Sequence, residues 1–406
     1  MKICLIGFNY PPPTVGGHGN VMKDLSEGFR KLNHEVDVYC LGNPAVSKNP
    51  CRKMKSYKSK NSVNCLGCKI HRLITLDMPL VRILHFCVLI RNILKNENFD
   101  IYHVHIAPLA YLLNKKPLVV TAHTTTYGEA ESIKYIKYNN VLTFLYYVSF
   151  KTYGYLLDKI VYKRADKIVV VNDHIKDELK NIYNVADNKI EVIYNGVDVN
   201  SFYPISHKKM VREYFNINPD AFVVLYVGRL AERKNINLII DAIDILNTNK
   251  NIVALIAGKG SMYNSLKKKI RDNMLEDKVN LLGFVKDEDI TRLYNTADVF
   301  VQPSIYEGMP LTLLEAQACS VPIISTNFKG VTNIIINNET GFILEKPSAE
   351  ELAGKIEFLF NNEKILNEMK NRCLNNIYEN FTIDKTLQRH LALYEKMVAN
   401  TCRVIN

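Results

Sequence analysis

The chain has 406 residues, too many for one compact core and suited to two domains of about 200 residues each. Its hydrophobic share of 47% with 23% charged residues is that of an ordinary soluble globular protein. Lys and Arg (52) exceed Asp and Glu (41), giving a net charge of +11 spread along the whole sequence, which fits phosphates or an anionic membrane surface as partners and argues against nucleic acid.

Met1-Lys2 runs directly into the strand-like Ile3-Cys4-Leu5-Ile6 without a signal-peptide pattern, and no stretch reaches the ~18 uncharged apolar residues of a membrane span. The expectation is a cytoplasmic protein with reduced thiols, since Cys4, Cys40, Cys87 and Cys319 lie in apolar surroundings. Cys65-Leu66-Gly67-Cys68, with Cys51 before it and His71 after, offers one close ligand pair where a structural zinc site shows two. No metal is expected there.

In chain order, strand Lys2–Gly7, a helix with Val21, Leu25, Phe29 and Leu32 on one face, and strand Val36–Leu41 make a βαβ unit. The connection after the first strand carries Pro11, Pro12 and Pro13, then Gly16, Gly17 and Gly19, at the strand end where such folds bind ligands. It lacks G-x-G-x-x-G, so no nicotinamide site is read. Residues 43–69 are polar, basic and aperiodic, and are expected to be a loop. Strand-like runs follow at Ile70–Thr75, Ile101–His105, Leu118–His123, Lys167–Val171 and Glu191–Tyr194, alternating with helical patterns, which argues for a parallel sheet covered on both faces. His103, His105 and His123 lie at strand ends, and His123 opens the polar run Thr124-Thr125-Thr126-Tyr127-Gly128, which favours a site role for it. Two segments, Leu80–Leu94 and Val141–Leu157, mix large apolar and aromatic residues with Arg or Lys; they suit core helices, or a face that touches a membrane to meet a lipid acceptor.

After Asn195-Gly196-Val197-Asp198 a second alternation begins, with strands near Val223–Val227, Ile252–Ala257, Val279–Leu282, Val299–Val301, Pro322–Ser325 and Phe342–Leu344. Ser348-Ala349-Glu350-Glu351 reads as a capping box. The expected domains are 1–200 and 201–383, with a last helix, 384–406, returning to the first. No repeat of 20 to 50 residues relates the halves.

Two stretches of the second half carry chemistry. In Pro303–Pro322 an apolar run leads through a loop holding Glu307 and Gly308 to a helix start at Pro310, where proline is tolerated. Amides from Met309 through Leu311 to Thr312 at that start can hold a phosphate. Glu315, one turn beyond Leu311, and Glu307 flank it as acceptors for sugar hydroxyls, since a carboxylate takes O–H donors and repels a bare phosphate. In Gly228-Arg229-Leu230-Ala231-Glu232-Arg233-Lys234-Asn235, Arg229 and Lys234 follow a strand end and suit a diphosphate.

Together these motifs resemble the retaining glycosyltransferases of the GT-B fold, specifically glycosyltransferase family 4. The resemblance runs through nearly the whole chain: Gly16-Gly17, His123, Asn195-Gly196-Val197-Asp198, Arg229 with Lys234, Gly258-Lys259-Gly260, then Glu307 to Glu315. It implies an α/β fold of two Rossmann-like parallel-sheet domains facing across a crevice, the first for the acceptor and the second for a nucleotide-diphosphate sugar donor. Arg229 and Lys234 would hold the donor diphosphate, Gly17 would approach it, Glu307 would bind the sugar and Glu315 the ribose. His123 would contact the sugar near the reacting carbon, and Gly258 and Gly260 would sit beside the base. A sugar would pass to a hydroxyl acceptor with no cofactor and no metal, as no Asp-x-Asp stands at a strand end. Two departures touch the donor pocket: Ser320 replaces the family's usual glycine before Val-Pro, and Lys329-Gly330-Val331-Thr332-Asn333 replaces Gly-Gly-x-x-Glu. The alternatives are a GT-B epimerase or phosphorylase-like enzyme, and a catalytically silent nucleotide-sugar-binding partner.

Overall fold

The computed structural model describes the chain except residues 12–16, 42–61, 66–67, 74, 76–78, 134–147, 149, 247–250 and 406. It divides into two compact units: Met1–Ala130 with Asn140–Asn195 and Ile383–Asn406, and Glu131–Asn139 with Gly196–Thr382.

The first unit is built on an eight-stranded sheet: β1 (Lys2–Gly7), β2 (Glu35–Leu41), β3 (Ser62–Cys65), β4 (Cys68–Leu73), β5 (Ile101–Val104), β6 (Leu118–Ala122), β7 (Lys167–Val170) and β8 (Ile190–Val192), in the order β3-β4-β2-β1-β5-β6-β7-β8. All its pairings are parallel except β3 with β4. Ile3, Leu5, Ile101, Val104, Val119 and Ile168 are fully buried, which is why these strands read as continuous apolar runs. The 43–69 loop expectation is corrected where it falls on described residues: 62–65 form an antiparallel edge strand on β4, and β4 begins at Cys68. Short polar edge strands of this kind carry little hydrophobic period to betray them.

Helix Gly17–Lys31 buries Val21, Met22, Leu25 and Phe29. Leu32, expected on that face, is 47% exposed, because the helix has ended and Asn33 turns the chain with φ 64°. The last helix, Ile383–Ile405, lies against Gly17–Lys31 within the same unit, with Leu387 filling the space that a side chain at Gly28 would need. Cys68 donates its thiol to the Ser26 carbonyl (3.4 Å), and His71 stacks on Tyr39 with its Nε2 3.7 Å from Asp37. Among the described residues no group of three or more His, Cys, Asp or Glu is arranged to hold a metal; Cys51 lies outside them.

The second unit has six parallel strands: β9 (Phe222–Val227), β10 (Ile252–Ala257), β11 (Val279–Gly283), β12 (Val299–Gln302), β13 (Ile323–Thr326) and β14 (Gly341–Leu344), ordered β11-β10-β9-β12-β13-β14. Counted from β9 this is the order 3-2-1-4-5-6 of a doubly wound sheet, whose direction of winding reverses between β9 and β12. Val224, Tyr226, Ile240, Ala254, Ile256, Leu352 and Ile356 form its buried centre. Ser348 caps helix Ala349–Asn361 by accepting from the Glu351 amide at 3.1 Å. The reciprocal half of the box is absent: Glu351 accepts instead from the amides of Glu345 and Lys346.

Candidate functional site

The reversal between β9 and β12 places two loops side by side at the carboxyl ends of these strands, the position where open α/β sheets bind ligands. The loop after β9 holds Arg229, Arg233 and Lys234; the loop after β12 holds Ser304 and Glu307. They are tied by backbone and side chain: Ile305 donates its amide to the Arg233 carbonyl (2.9 Å), and the Arg233 guanidinium donates to the Tyr306 carbonyl (3.2 Å). Lys234 pairs with Glu307 Oε1, which also accepts from Ser304 (2.7 Å) and Gln302 (3.0 Å), while Arg233 stands 3.7 Å from Oε2. Glu307 is therefore an enclosed, 7% exposed carboxylate, although it stands in a loop.

Burial alone would raise the Glu307 pKa, but the Lys234 and Arg233 charges and the Lys234 and Ser304 hydrogen bonds hold it below the usual carboxylate range. Burial also lowers the Lys234 pKa, with Arg233 and Arg229 adding to the effect and Glu307 opposing it. Arg229 is exposed and makes no ion pair among the described residues, so its fork is open to an anion. Arg233 was not singled out in the sequence; flanked by Glu232 and Lys234 it has the look of a solvated charge, and only the Tyr306 carbonyl and Glu307 reveal its role.

The loop bearing Arg229 is set against the one bearing Gly258-Lys259-Gly260. Gly228 donates its amide to Ala257, Leu230 to Lys259, and Met262 to Leu230. A Cβ at Gly258 would stand 1.8 Å from the Gly228 carbonyl oxygen, and one at Gly260 would stand 2.1 Å from that of Leu230. Both glycines are thus explained by backbone packing that shapes the cationic loop. The Tyr226 hydroxyl adds a 3.1 Å bond to the Arg229 carbonyl.

Beyond Glu307, Gly308 and Met309 are buried and Pro310 precedes helix Leu311–Ala318 as its cap without a side-chain cap bond. The Leu311 and Thr312 amides have no partner among the described residues, whereas Leu313 already donates to Pro310. Such a helix start attracts negative charge. On the same helix Glu315 accepts from the Tyr294 hydroxyl at 2.6 Å. Burial pushes its pKa up to about 7, against the pull of the Tyr294 hydrogen bond. The departures have local causes. Ser320 adopts a left-handed φ of 61°, the conformation in which glycine is unstrained, and its hydroxyl bonds the Lys370 carbonyl at 2.9 Å. Asn333 closes a short 3-10 turn, Val331–Asn333.

In the first unit, Gly16 lies outside the described residues, and Gly17 opens its helix, exposed, one position before His18. The His18 ring stacks on His123 at 4.6 Å; His123 Nε2 lies 3.1 Å from His105 Nδ1; and the rings of His105 and His103 are 4.3 Å apart. His103 bonds Tyr394 and Thr121 hydroxyls at 2.5 and 2.6 Å, with the His390 ring 5.6 Å away. Burial, then the neighbouring histidines, hold His103, His105 and His123 well below the usual imidazole range. The result is a column of neutral rings leading inward from Gly17-His18. Sequence reading reached His123, His105 and His103 as strand-end residues and missed His18, His390 and Tyr394.

Comparison with known proteins follows the same division. The model for Glycosyltransferase Family 4 matches residues 15–201, and that for Glycosyl transferases group 1 matches residues 208–379. The chain is 30% identical over 336 residues, 80% of its length and 82% of the relative's, to the Escherichia coli UDP-Gal:α-D-GlcNAc-diphosphoundecaprenol α-1,3-galactosyltransferase. Among solved structures, sucrose-phosphate synthase from Thermosynechococcus elongatus superimposes with a TM-score of 0.81 at 18% identity, covering 98% of this chain and 99% of that one. HepE of Anabaena, in complex with UDP, gives 0.76 at 17% identity over 98% and 100% of the two chains.

Proposed function

This chain belongs to the glycosyltransferases, with a family 4 amino-terminal and a group 1 carboxy-terminal domain in a GT-B architecture, and from that premise we propose a retaining hexosyltransferase. It takes its sugar from a nucleotide-diphosphate donor, and a uridine nucleotide is the first candidate, since HepE binds UDP and the galactosyltransferase relative is named for UDP-Gal. The observation that carries this reading is the pair of tied loops at the β9/β12 reversal, with open Arg229, the Lys234–Glu307 pair and the unpartnered Leu311 and Thr312 amides at one pole.

In this reading the diphosphate lies between Arg229, Lys234 and the helix start. As the bond to the anomeric carbon breaks, charge grows on the leaving diphosphate, and prearranged cations then stabilise the transition state more than the ground state. Glu307 Oε2 and Glu315 accept from sugar and ribose hydroxyls; neither is needed as a covalent nucleophile, and same-face attack preserves the anomeric configuration. In the first unit His123 is neutral and buried, a group that offers a sugar hydroxyl a hydrogen bond without a charge. No step requires a metal or cofactor.

The acceptor is a hydroxyl, and a lipid-linked one is favoured by exposed apolar residues on two segments of the first unit. Leu84 and Val88 on helix Pro79–Leu94, with Tyr153, Leu156 and Ile160 on 150–164, are exposed. Those two segments contain a single acid, Asp158, which is 2% exposed and bonded to Thr126, so the outward charges are Arg and Lys. Apolar, cationic segments of this kind suit anionic bilayers. No helix among the described residues is long and apolar enough to cross a membrane.

Thermal-shift screening of UDP-, GDP- and ADP-sugars identifies the donor. Donor hydrolysis then separates an active transferase, which leaks sugar to water, from a silent binding partner, and the anomer of the first product reports retention. A product with inverted configuration overturns the retaining assignment. Cosedimentation with anionic vesicles that weakens with salt supports the lipid-linked acceptor; equal recovery in the supernatant with and without vesicles ends it.

A further inference from the structure

We propose that Tyr294 is a positioning residue of the donor site: its hydroxyl fixes one oxygen of Glu315 so that the other is presented to the ribose of the donor. The proposal rests on the reading of Glu315 as the ribose acceptor. Tyr294 lies on helix Asp287–Thr296, fully buried, with its ring packed by Phe202 (6.0 Å) and Phe300 (5.8 Å). Held from two sides, the ring has no freedom to swing, and its hydroxyl donates to Glu315 Oε2 at 2.6 Å. Glu315 Oε1 has no hydrogen-bond partner among the described residues. One oxygen is anchored and the other is left for a ligand, which is the preorganisation a diol acceptor requires.

The same bond governs the charge of Glu315. The titratable groups that act with it are Tyr294 and Asp287 from the neighbouring helix and Cys319 one turn along its own; none is a cation. Burial and the Asp287 charge favour the neutral acid, and only the Tyr294 hydroxyl favours the carboxylate. Ionised, Glu315 accepts from both hydroxyls of a diol; protonated, it is a donor as well as an acceptor and matches the diol poorly. Removing the tyrosine hydroxyl therefore shifts Glu315 toward the protonated form at neutral pH, and higher pH restores the carboxylate.

The test is titration calorimetry of Tyr294→Phe and Glu315→Gln with UDP, GDP and ADP from pH 6 to 9, in pairs of buffers with different ionisation enthalpies. For the nucleotide that binds wild type best, Tyr294→Phe should weaken affinity about tenfold at pH 7, the size of one hydrogen bond to a charged group, and approach wild type by pH 9. Wild type should release protons on binding near pH 7, the phenylalanine variant should release more, and Glu315→Gln should bind weakly at every pH without this release. A tyrosine that only supports packing would give a loss independent of pH, and that outcome overturns the proposal. If Tyr294→Phe does not fold, wild-type protein that binds nucleotide without releasing protons overturns it equally. Normal binding by Glu315→Gln overturns the ribose assignment itself, and the proposal with it.

Discussion

The two units end their central strands in opposite electrostatics. At the pole of the first, half-buried His18 stacks on His123, one of the buried rings of His123, His105, His103 and His390, whose bonds go to one another, to the Thr121 and Tyr394 hydroxyls and to the Thr386 carbonyl. At the pole of the second, Arg229, Arg233 and Lys234 meet Glu307 in an enclosed web. Both poles lie at the carboxyl ends of parallel strands, the first filled from strands and helices and the second from loops, so the architecture does not decide which chemistry a pole performs. Its side chains do: in the proposed reading the neutral column suits hydroxyl-bearing sugars and the cationic loop suits a diphosphate.

The largest effect should come from removing charge at the second pole. Arg229→Ala and Lys234→Ala are each expected to slow transfer or donor hydrolysis by about 10²-fold, as loss of one preorganised charge contact does elsewhere. The double variant should fall short of the product, because the two cations share one anion. Arg229→Lys should recover only part of the rate, a point charge being no substitute for a two-pronged contact. Lys234 has a second duty: leaving Glu307 buried without it costs stability, so a thermal melt must confirm that each variant is folded. Folded variants with near-normal turnover would sink the diphosphate assignment.

Acid should next separate the two units. His390, whose pKa burial lowers to about 4, is neutral in the folded first unit at pH values where an unfolded chain is already protonated. Its contribution is fully present above the unfolded value of 6.5 and lost as pH falls toward 4, an effect of about 3 kcal/mol for this residue alone. His103, His105 and His123 shift in the same direction, while Asp158, raised to about 6 by burial, opposes them. In the second unit Glu315, raised to about 7, binds its proton more tightly when folded. Its effect favours folding at low pH and is lost as pH rises through 7. Glu307, held below 4.5, keeps its stabilising effect until pH drops under that value. Hydrogen exchange read separately over each unit should show protection between pH 7 and 4.5 falling in the first and holding or rising in the second. His390→Phe should flatten the first slope; an unchanged slope in that variant would remove the histidine column as its cause.

What the sequence made legible was what is local. Strand β10 was read with its observed bounds, Ile252–Ala257, because a doubly covered parallel strand is an unbroken apolar run between turn residues. Lys234 and Glu307 were legible as residues following strand ends, with separate roles at a diphosphate and a sugar, but their direct ion pair was not. The partners that hold them in place were not legible, since they come from distant segments: Tyr306 presents a carbonyl to Arg233, and Tyr394 on the last helix reaches His103. Hydrophobic period marks which face of that last helix is buried but carries no information about which histidine lies beneath it. Gly258 and Gly260 were legible as special, yet their reason, the carbonyls of Gly228 and Leu230, belongs to the packing of two loops.

The smallest effect should come from Ser320, where the chain departs from the glycine usual in its family. A residue with a side chain pays for the left-handed φ of 61°, by roughly 1 kcal/mol relative to glycine. The Ser320 hydroxyl offsets this through its 2.9 Å bond to the Lys370 carbonyl, a contact of about the same size. Ser320→Gly relieves the strain and loses the bond, so its stability should stay within about 0.5 kcal/mol of wild type. Ser320→Ala keeps the strain and loses the bond, and should be destabilised by about 1 kcal/mol. Denaturant unfolding of the pair isolates the backbone contribution, because both variants lack the hydroxyl and differ by one methyl group. Equal stabilities would mean that the left-handed turn costs this chain nothing, and that the serine is retained for its bond to Lys370 alone.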